Sequence, residues 1–95
     1  MTGKQRSKLR SMANTLPALY QIGKGGVTPE VTEQLDAALE ARELIKITVL
    51  ENCPISAKEA LSMLSERLHA ESVQSIGRKI TLYRRSKEKP KIELD

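Results

Sequence analysis

The sequence predicts an α/β fold: a single domain in the order αβαβαββ, with its strands in one four-stranded mixed sheet. Three observations lead to this prediction. Apolar residues recur at helical spacing in three segments, they alternate with polar residues in shorter segments, and glycine or proline stands at several of the boundaries. At 95 residues, the chain is long enough to bury one hydrophobic core.

Three helices are predicted from the spacing of their apolar residues, over residues 3–16, about 29–42 and about 57–69. Thr28 is expected to cap the second helix, with Pro29 at its first position, and Ser56 and Glu59 to form a capping box for the third. The residues expected to be buried are Leu9, Met12, Ala13 and Leu16 in the first helix, Val31, Leu35, Ala38 and Leu39 in the second, and Ala57, Ala60, Leu61, Leu64 and Leu68 in the third.

Four strands are predicted, at residues 19–22, 43–49, 72–76 and 79–84. The second is the clearest, because Ile45, Ile47 and Val49 alternate with polar residues. Such alternation predicts a sheet that is covered on one face only. Gly77 and Arg78 are expected to form the turn of a hairpin between the last two strands.

A glycine-rich stretch, Ile-Gly-Lys-Gly-Gly-Val-Thr-Pro-Glu at residues 22–30, gives the strongest functional indication. Its candidate ligand-binding residues are Gly23, Lys24, Gly25, Gly26 and Thr28. Free amides at a helix N-terminus attract anions, and glycine lets a ligand backbone approach without meeting a Cβ. We therefore expect this loop to hold a phosphodiester backbone, while the alternative is that the glycines only serve a turn with positive φ. The spacing fits neither a P-loop nor a Rossmann loop.

Positive charge is concentrated at the two ends of the chain. Residues 1–10 and 78–95 together hold eleven basic and three acidic residues, whereas residues 11–77 hold five basic and nine acidic ones. This layout favours a polyanion as ligand, although basic termini can also serve solubility alone. The further candidate contacts are Lys4, Arg6, Lys8 and Arg10 in the first helix and Arg78, Lys79, Arg84 and Arg85 around the last strand. The second group could equally be a solvated sheet edge.

No catalytic or metal site is apparent. Cys53 is the single cysteine, and His69 has no nucleophile, carboxylate pair or metal ligand in a recognisable arrangement. We therefore expect no enzymatic activity, no metal, no cofactor and no small-molecule substrate. The chain shows neither a signal-like apolar start nor an apolar run of bilayer length, so we expect a cytoplasmic protein away from membranes. Residues 86–95 are expected to form a basic, loosely ordered tail after a domain of residues 1–85, because they are charged and include Pro90.

Four fragments together resemble the YhbY family of small RNA-binding proteins, which consist of a single CRM (chloroplast RNA splicing and ribosome maturation) domain. They are KQRSKLR at residues 4–10, IGKGGVT at 22–28, ELIKI at 43–47 and IGRKITLYR at 76–84. The resemblance implies a fold similar to the C-terminal domain of bacterial translation initiation factor three. It also implies non-catalytic binding of ribosomal RNA in precursors of the large ribosomal subunit. The family's GxxG loop would correspond to residues 23–26, and its basic first helix to the opening stretch.

Only two aromatic residues, Tyr20 and Tyr83, are available to stack on bases, and both lie in predicted strands. We therefore expect RNA to be recognised by its shape and backbone, not by a long base sequence. An alternative function is a protein-interaction module that presents Glu33, Asp36 and Glu40 to a basic partner. An enzyme that acts on a phosphorylated metabolite ranks last, because no acid–base pair is identifiable.

Overall fold

The structure is a computed structural model that describes residues 1–94. Its three helices are α1 (Gly3–Ala13), α2 (Pro29–Arg42) and α3 (Ala57–Leu68). Its four strands are β1 (Ala18–Ile22), β2 (Leu44–Val49), β3 (Glu71–Ile76) and β4 (Lys79–Tyr83). The predicted α/β class, the element order and the single four-stranded mixed sheet are confirmed.

The strand order determines which loops lie together. The sheet has the order β1-β2-β4-β3, with β1 parallel to β2 and with β4 antiparallel to both β2 and β3. Ile22 pairs with Val49, and Lys79 pairs with both Thr48 and Ile76. These residues mark one end of the sheet, which we call the loop end. The residues 23–28, the residues 50–56 and the β3–β4 turn therefore all emerge there.

The helix starts follow from their capping residues. The Thr28 hydroxyl accepts a hydrogen bond from the Val31 N–H at 3.1 Å, and α2 begins at Pro29 as predicted. Ser56 and Glu59 form the predicted capping box at α3, with both bonds at 3.1 Å. Also at the loop end, Gly77 has a φ of 58° and begins the two-residue turn of the predicted hairpin.

The main core lies between the sheet and the pair α2 and α3. Its buried residues include Leu35 and Leu39 of α2 and Leu64 and Leu68 of α3, as predicted. The sheet contributes Ile22, Ile45, Ile47, Val49, Ile80 and Leu82 from the same face. Val31 and Ala57, which were expected to be buried, are only partly covered, because each stands in the first turn of its helix.

The other face of the sheet is partly covered as well, so the prediction of one covered face is wrong for the part near Leu44 and Tyr83. Leu9 of α1 is fully buried there in a second cluster with Leu44, Val73 and Tyr83. Helix α1 ends at Ala13 instead of residue 16, and Met12 is 37% exposed instead of buried. The apolar stripe of α1 is thus shorter than predicted and covers only this end of the face.

Residues 86–94, in the segment expected to be a loosely ordered tail, make contacts with the domain. They form no helix or strand, yet the buried carboxylate of Glu43 accepts hydrogen bonds from the N–H groups of Ser86, Lys91 and Ile92 at 2.8, 2.6 and 2.7 Å. Ile92 and Leu94 also pack against the second cluster. The segment therefore lies against the domain, while Asp95, the last residue of the expected tail, is outside the described residues.

Candidate nucleic-acid interface

The glycine loop, residues 23–26, is a tight turn with an exposed tip. The Gly26 N–H donates to the Gly23 carbonyl at 2.9 Å, and Gly26 has a φ of 69°. Lys24 and Gly25 at the tip are exposed. None of the hydrogen bonds formed within residues 1–94 uses the N–H of either residue. The tip therefore offers two main-chain donors and one ammonium group close to the positive N-terminal end of α2.

The three glycines of the loop serve different purposes. Gly26 needs its positive φ, and a Cβ there would lie 3.3 Å from Cγ of Pro54. Gly23 is close to Leu50, whose Cδ1 would be 3.4 Å from an added Cβ. At Gly25, by contrast, φ is not positive and an added Cβ would meet only Cγ2 of Thr28, at 3.4 Å. The turn explains Gly26, whereas nothing in the fold requires a glycine at position 25.

The loop end also carries the cations of the β3–β4 hairpin. Lys79 begins β4 opposite Thr48, and Arg78 is in the preceding turn. The backbones of β1 and β4 are two strand spacings apart, roughly 10 Å, so Lys24 and Lys79 can contact one extended polyanion. Arg78 lies 3.8 Å from Glu51, but both side chains are more than half exposed, and such an ion pair is weak.

Two further cations near this end were missed by the sequence analysis as candidate contacts. Arg67, in the last turn of α3, donates from Nη1 to the carbonyl of Val27 at 3.4 Å and so lies beside the glycine loop. Lys46 projects from β2 on the face opposite α2 and α3. Its place in an alternating strand had indicated a polar face, whereas nothing in the sequence around Arg67 placed it near residue 27.

The cations of α1 do not gather at the loop end. Arg6 donates to the carbonyl of Ser72 at 2.6 Å and lies 3.4 Å from Glu71, at the start of β3. Lys8 donates to the carbonyl of Glu93. Lys4 lines a cleft with Gln5, Lys8 and Leu94. Arg10 is exposed on the turn of α1 that precedes Asn14. Lys4, Arg6 and Lys8 therefore lie away from the loop end, and Arg6 and Lys8 also help to hold the domain together.

Arg84 and Arg85, which follow β4, differ in their surroundings. Arg84 donates to a carboxylate oxygen of Asp36 at 2.6 Å and to the carbonyl of Leu68 at 3.0 Å, and its side chain is only 16% exposed. Arg85 is exposed. Arg84 follows Lys79 by five residues of extended chain, a separation of roughly 17 Å. Arg84 thus contacts α2 and α3 within the fold, at a distance from the loop end.

The acidic residues considered for a basic protein partner are largely engaged within the domain. Asp36 is paired with Arg84. Glu40 accepts from the Ser86 hydroxyl at 2.5 Å and from the N–H groups of Lys87 and Glu88, and these bonds, that of Ser86 foremost, lower the pKa of Glu40. Among these three residues, only Glu33 has a carboxylate that makes no hydrogen bond or ion pair within residues 1–94.

Residues 1–94 were also searched for membrane-spanning helices and for groups of metal-binding side chains. No helix formed by residues 1–94 has the length and apolar character needed to cross a bilayer. Across the same range, His, Cys, Asp and Glu side chains do not gather in a group of three or more that could hold a metal ion.

Comparison with known proteins identifies the family. The family model for the CRS1/YhbY (CRM) domain matches residues 1–84. Probable RNA-binding protein YqeI of Bacillus subtilis is 46% identical over 94 residues, which are 99% of this chain and 98% of that protein. An RNA-binding protein of Haemophilus influenzae is 31% identical over 94 residues, which cover 99% of this chain and 94% of that protein.

A solved structure extends the likeness to the fold. The solution structure of SAV1595 from Staphylococcus aureus, described as a candidate RNA-binding protein, superposes with a TM-score of 0.82 at 47% identity. The match covers 100% of this chain and 99% of the other. The resemblance found in the four sequence fragments is thereby confirmed, and the chain belongs to the CRS1/YhbY (CRM) domain family.

Proposed function

We propose that this chain is a non-catalytic RNA-binding protein that holds the phosphate backbone at the loop end of its sheet. The observation that carries this proposal is the exposed tip of the glycine loop, which combines the free N–H groups of Lys24 and Gly25 with the exposed Lys24 side chain. The names of its relatives as RNA-binding proteins support RNA as the polyanion.

The loop end suits a phosphate backbone for electrostatic reasons. Backbone amides at a helix N-terminus donate to phosphate oxygens without any change in conformation, and the helix dipole favours the negative charge. Lys24, Arg67, Arg78 and Lys79 add positive charge on the same side of the domain. Contacts of this kind fix the register of the RNA but read little of its sequence.

We further propose that the bound RNA is ribosomal RNA in precursors of the large ribosomal subunit, and that the protein acts in the cytoplasm. The support is the resemblance to the YhbY family, whose bacterial members are associated with such precursors. Sedimentation of a cell lysate tests this part. The protein should travel with large-subunit precursors, and a protein found only in RNA-free fractions would contradict the assignment.

RNA binding itself is tested by charge reversal at the tip. Lys24→Glu should weaken RNA binding and make the slope of log affinity against log salt shallower by about 0.7–0.9, because one fewer phosphate is neutralised. Lys89→Glu is the matched control, since Lys89 is exposed in the segment that packs near Glu40, away from the loop end. Equal affinities and equal salt slopes for the two variants would rule out the glycine loop as the phosphate site.

A further inference from the structure

Apart from the glycine loop, a group of polar side chains lies on the sheet face that α1 only partly covers. Lys46, Thr81 and Gln74 stand directly opposite one another across β2, β4 and β3. The next row towards the loop end is Thr48, Lys79 and Ile76. Because α1 ends at Ala13, the helix does not extend over these two rows, and its C-cap residue Asn14 lies beside them.

These residues enclose a recess of about 230 Å³. Its lining consists of Asn14, Lys46, Gln74, Ile76, Lys79 and Thr81. The lining contains two ammonium groups, two side-chain amides and a hydroxyl, and no carboxylate. The volume is below the roughly 300–1,000 Å³ of sites that enclose a drug-sized molecule, so the recess suits a smaller group.

Thr81 gives an independent indication that a ligand belongs here. The residue is only 1% exposed, and its Oγ1 has no hydrogen-bond partner among residues 1–94. Buried hydroxyl groups are nearly always satisfied, because leaving one unpaired destabilises the fold. The neighbouring Lys46 and Gln74 are long and flexible, so they can turn aside and let a ligand reach this oxygen.

The chemistry of the lining matches one nucleotide. The Asn14 and Gln74 amides each combine donors with an acceptor, as the hydrogen-bonding edge of a base does. Lys46 and Lys79 can neutralise the attached phosphate, and Ile76, which is 63% exposed, offers an apolar wall to a base plane. In an RNA duplex the Watson–Crick edge is already paired and the deep, narrow major groove keeps side chains from the bases, so an unpaired nucleotide is needed to present its base to the recess.

We propose that the recess binds one unpaired nucleotide of the RNA whose backbone is held at the loop end. Lys79 connects the two regions, because it lines the recess and also begins β4 at the loop end. This inference rests on the proposed RNA binding and adds a preference for RNA with a bulged or looped-out base.

The test compares a fully paired RNA stem with the same stem carrying one bulged nucleotide. Wild-type protein should bind the bulged stem about tenfold more tightly, as expected for one well-formed set of base contacts. Asn14→Ala, Gln74→Ala and Thr81→Val should each reduce this ratio and leave the affinity for the paired stem unchanged. Gln21→Ala is the matched control, since Gln21 is exposed on β1 outside the recess and should keep the ratio.

Two outcomes separate this inference from the proposed function. Equal affinity of the wild type for both stems, with Lys24→Glu still weakening both, would overturn the recess and leave phosphate binding at the loop intact. No binding of either stem at moderate salt would overturn both proposals. A titration with nucleoside monophosphates gives a direct readout: the side-chain amide NMR signals of Asn14 and Gln74 should shift, whereas that of Gln21 should not.

Discussion

Gly26 lies against Pro54, so closely that a Cβ on the glycine would be 3.3 Å from the proline Cγ. Gly26 also has a φ of 69°, a conformation that non-glycine residues adopt at a cost of roughly 1–2 kcal/mol. Gly26→Ala should therefore lower the free energy of unfolding by about that amount, as measured by urea denaturation. Gly25→Ala is the control and should stay within about 0.5 kcal/mol of the wild type, because position 25 has neither constraint. Equal losses in the two variants would contradict this division of roles.

Gly25 should instead matter for the ligand. An added Cβ at the exposed tip stands where we propose that the phosphate backbone approaches, so Gly25→Ala should reduce RNA affinity about threefold to tenfold, a loss of roughly 0.7–1.4 kcal/mol. Its urea midpoint should remain that of the wild type. The measurement is an RNA titration at fixed moderate salt, and undiminished affinity would mean that the backbone does not approach the tip closely.

Glu43 should control how firmly residues 86–94 are held. Burial raises the pKa of this carboxyl, but the N–H groups of Ser86, Ile92 and Lys91 together outweigh it and leave the pKa below its ordinary value of 4.5. Glu43→Gln replaces an acceptor oxygen by an NH₂ group and should cost about 2 kcal/mol or more of stability at neutral pH. Hydrogen exchange at Lys91 and Ile92 should accelerate in the variant.

The lowered pKa of the Glu43 carboxyl predicts that the stability of the protein depends on pH. Since the pKa is lower in the folded than in the unfolded state, this stabilisation is fully present above about 4.5 and is lost as the pH falls through the folded value. The stability gap between the wild type and Glu43→Gln should accordingly narrow in acid. Glu33→Gln serves as the control, because Glu33 is exposed and its carboxylate makes no hydrogen bond within residues 1–94. A gap that stays constant from pH 7 to pH 3 would be inconsistent with this role of Glu43.

Arg84 and Arg85 should respond differently to truncation. Arg84→Ala removes hydrogen bonds to Asp36 and to the carbonyl of Leu68, and should lower the unfolding free energy by about 1–2 kcal/mol, a figure reduced because Asp36 is largely exposed. Arg85→Ala should leave stability nearly unchanged. Neither change should alter the RNA affinity of the folded protein by as much as Lys24→Glu does. A loss of affinity in Arg84→Ala without loss of stability would show that Arg84 contacts the ligand.

Local chemistry allowed much of the fold to be predicted. The Thr28–Pro29 start and the Ser56–Glu59 capping box define helix N-termini through neighbours a few residues away, so the chain itself contains the relevant information. The alternation of Ile45, Ile47 and Val49 similarly marks one buried face of β2. The end of α1 was predicted less well, because Met12 and Leu16 fit the helical pattern although the helix ends at Ala13.

The sequence pattern could not predict which charged residues lie close together in the folded chain. The sequence analysis treated the cations of both chain ends together as candidate RNA contacts. The sequence alone does not distinguish an arginine with a free side chain from one that is bonded within the fold. Only the folded chain brings Asp36 to Arg84, 48 residues apart, and Val27 to Arg67, 40 residues apart. The predicted contacts thus include Arg84, which is bonded to Asp36 within the fold, and do not include Arg67, which lies beside the glycine loop.

By itself, the sequence determined the order of the elements, the starts of α2 and α3, and the glycine loop between β1 and α2, because these depend on contacts between residues close along the chain. The tertiary structure decided which cations remain free, that Glu43 holds residues 86–94, and that Lys46, Thr81 and Gln74 stand in one row. Those relationships depend on strand order and on contacts between distant segments, which local spacing does not encode.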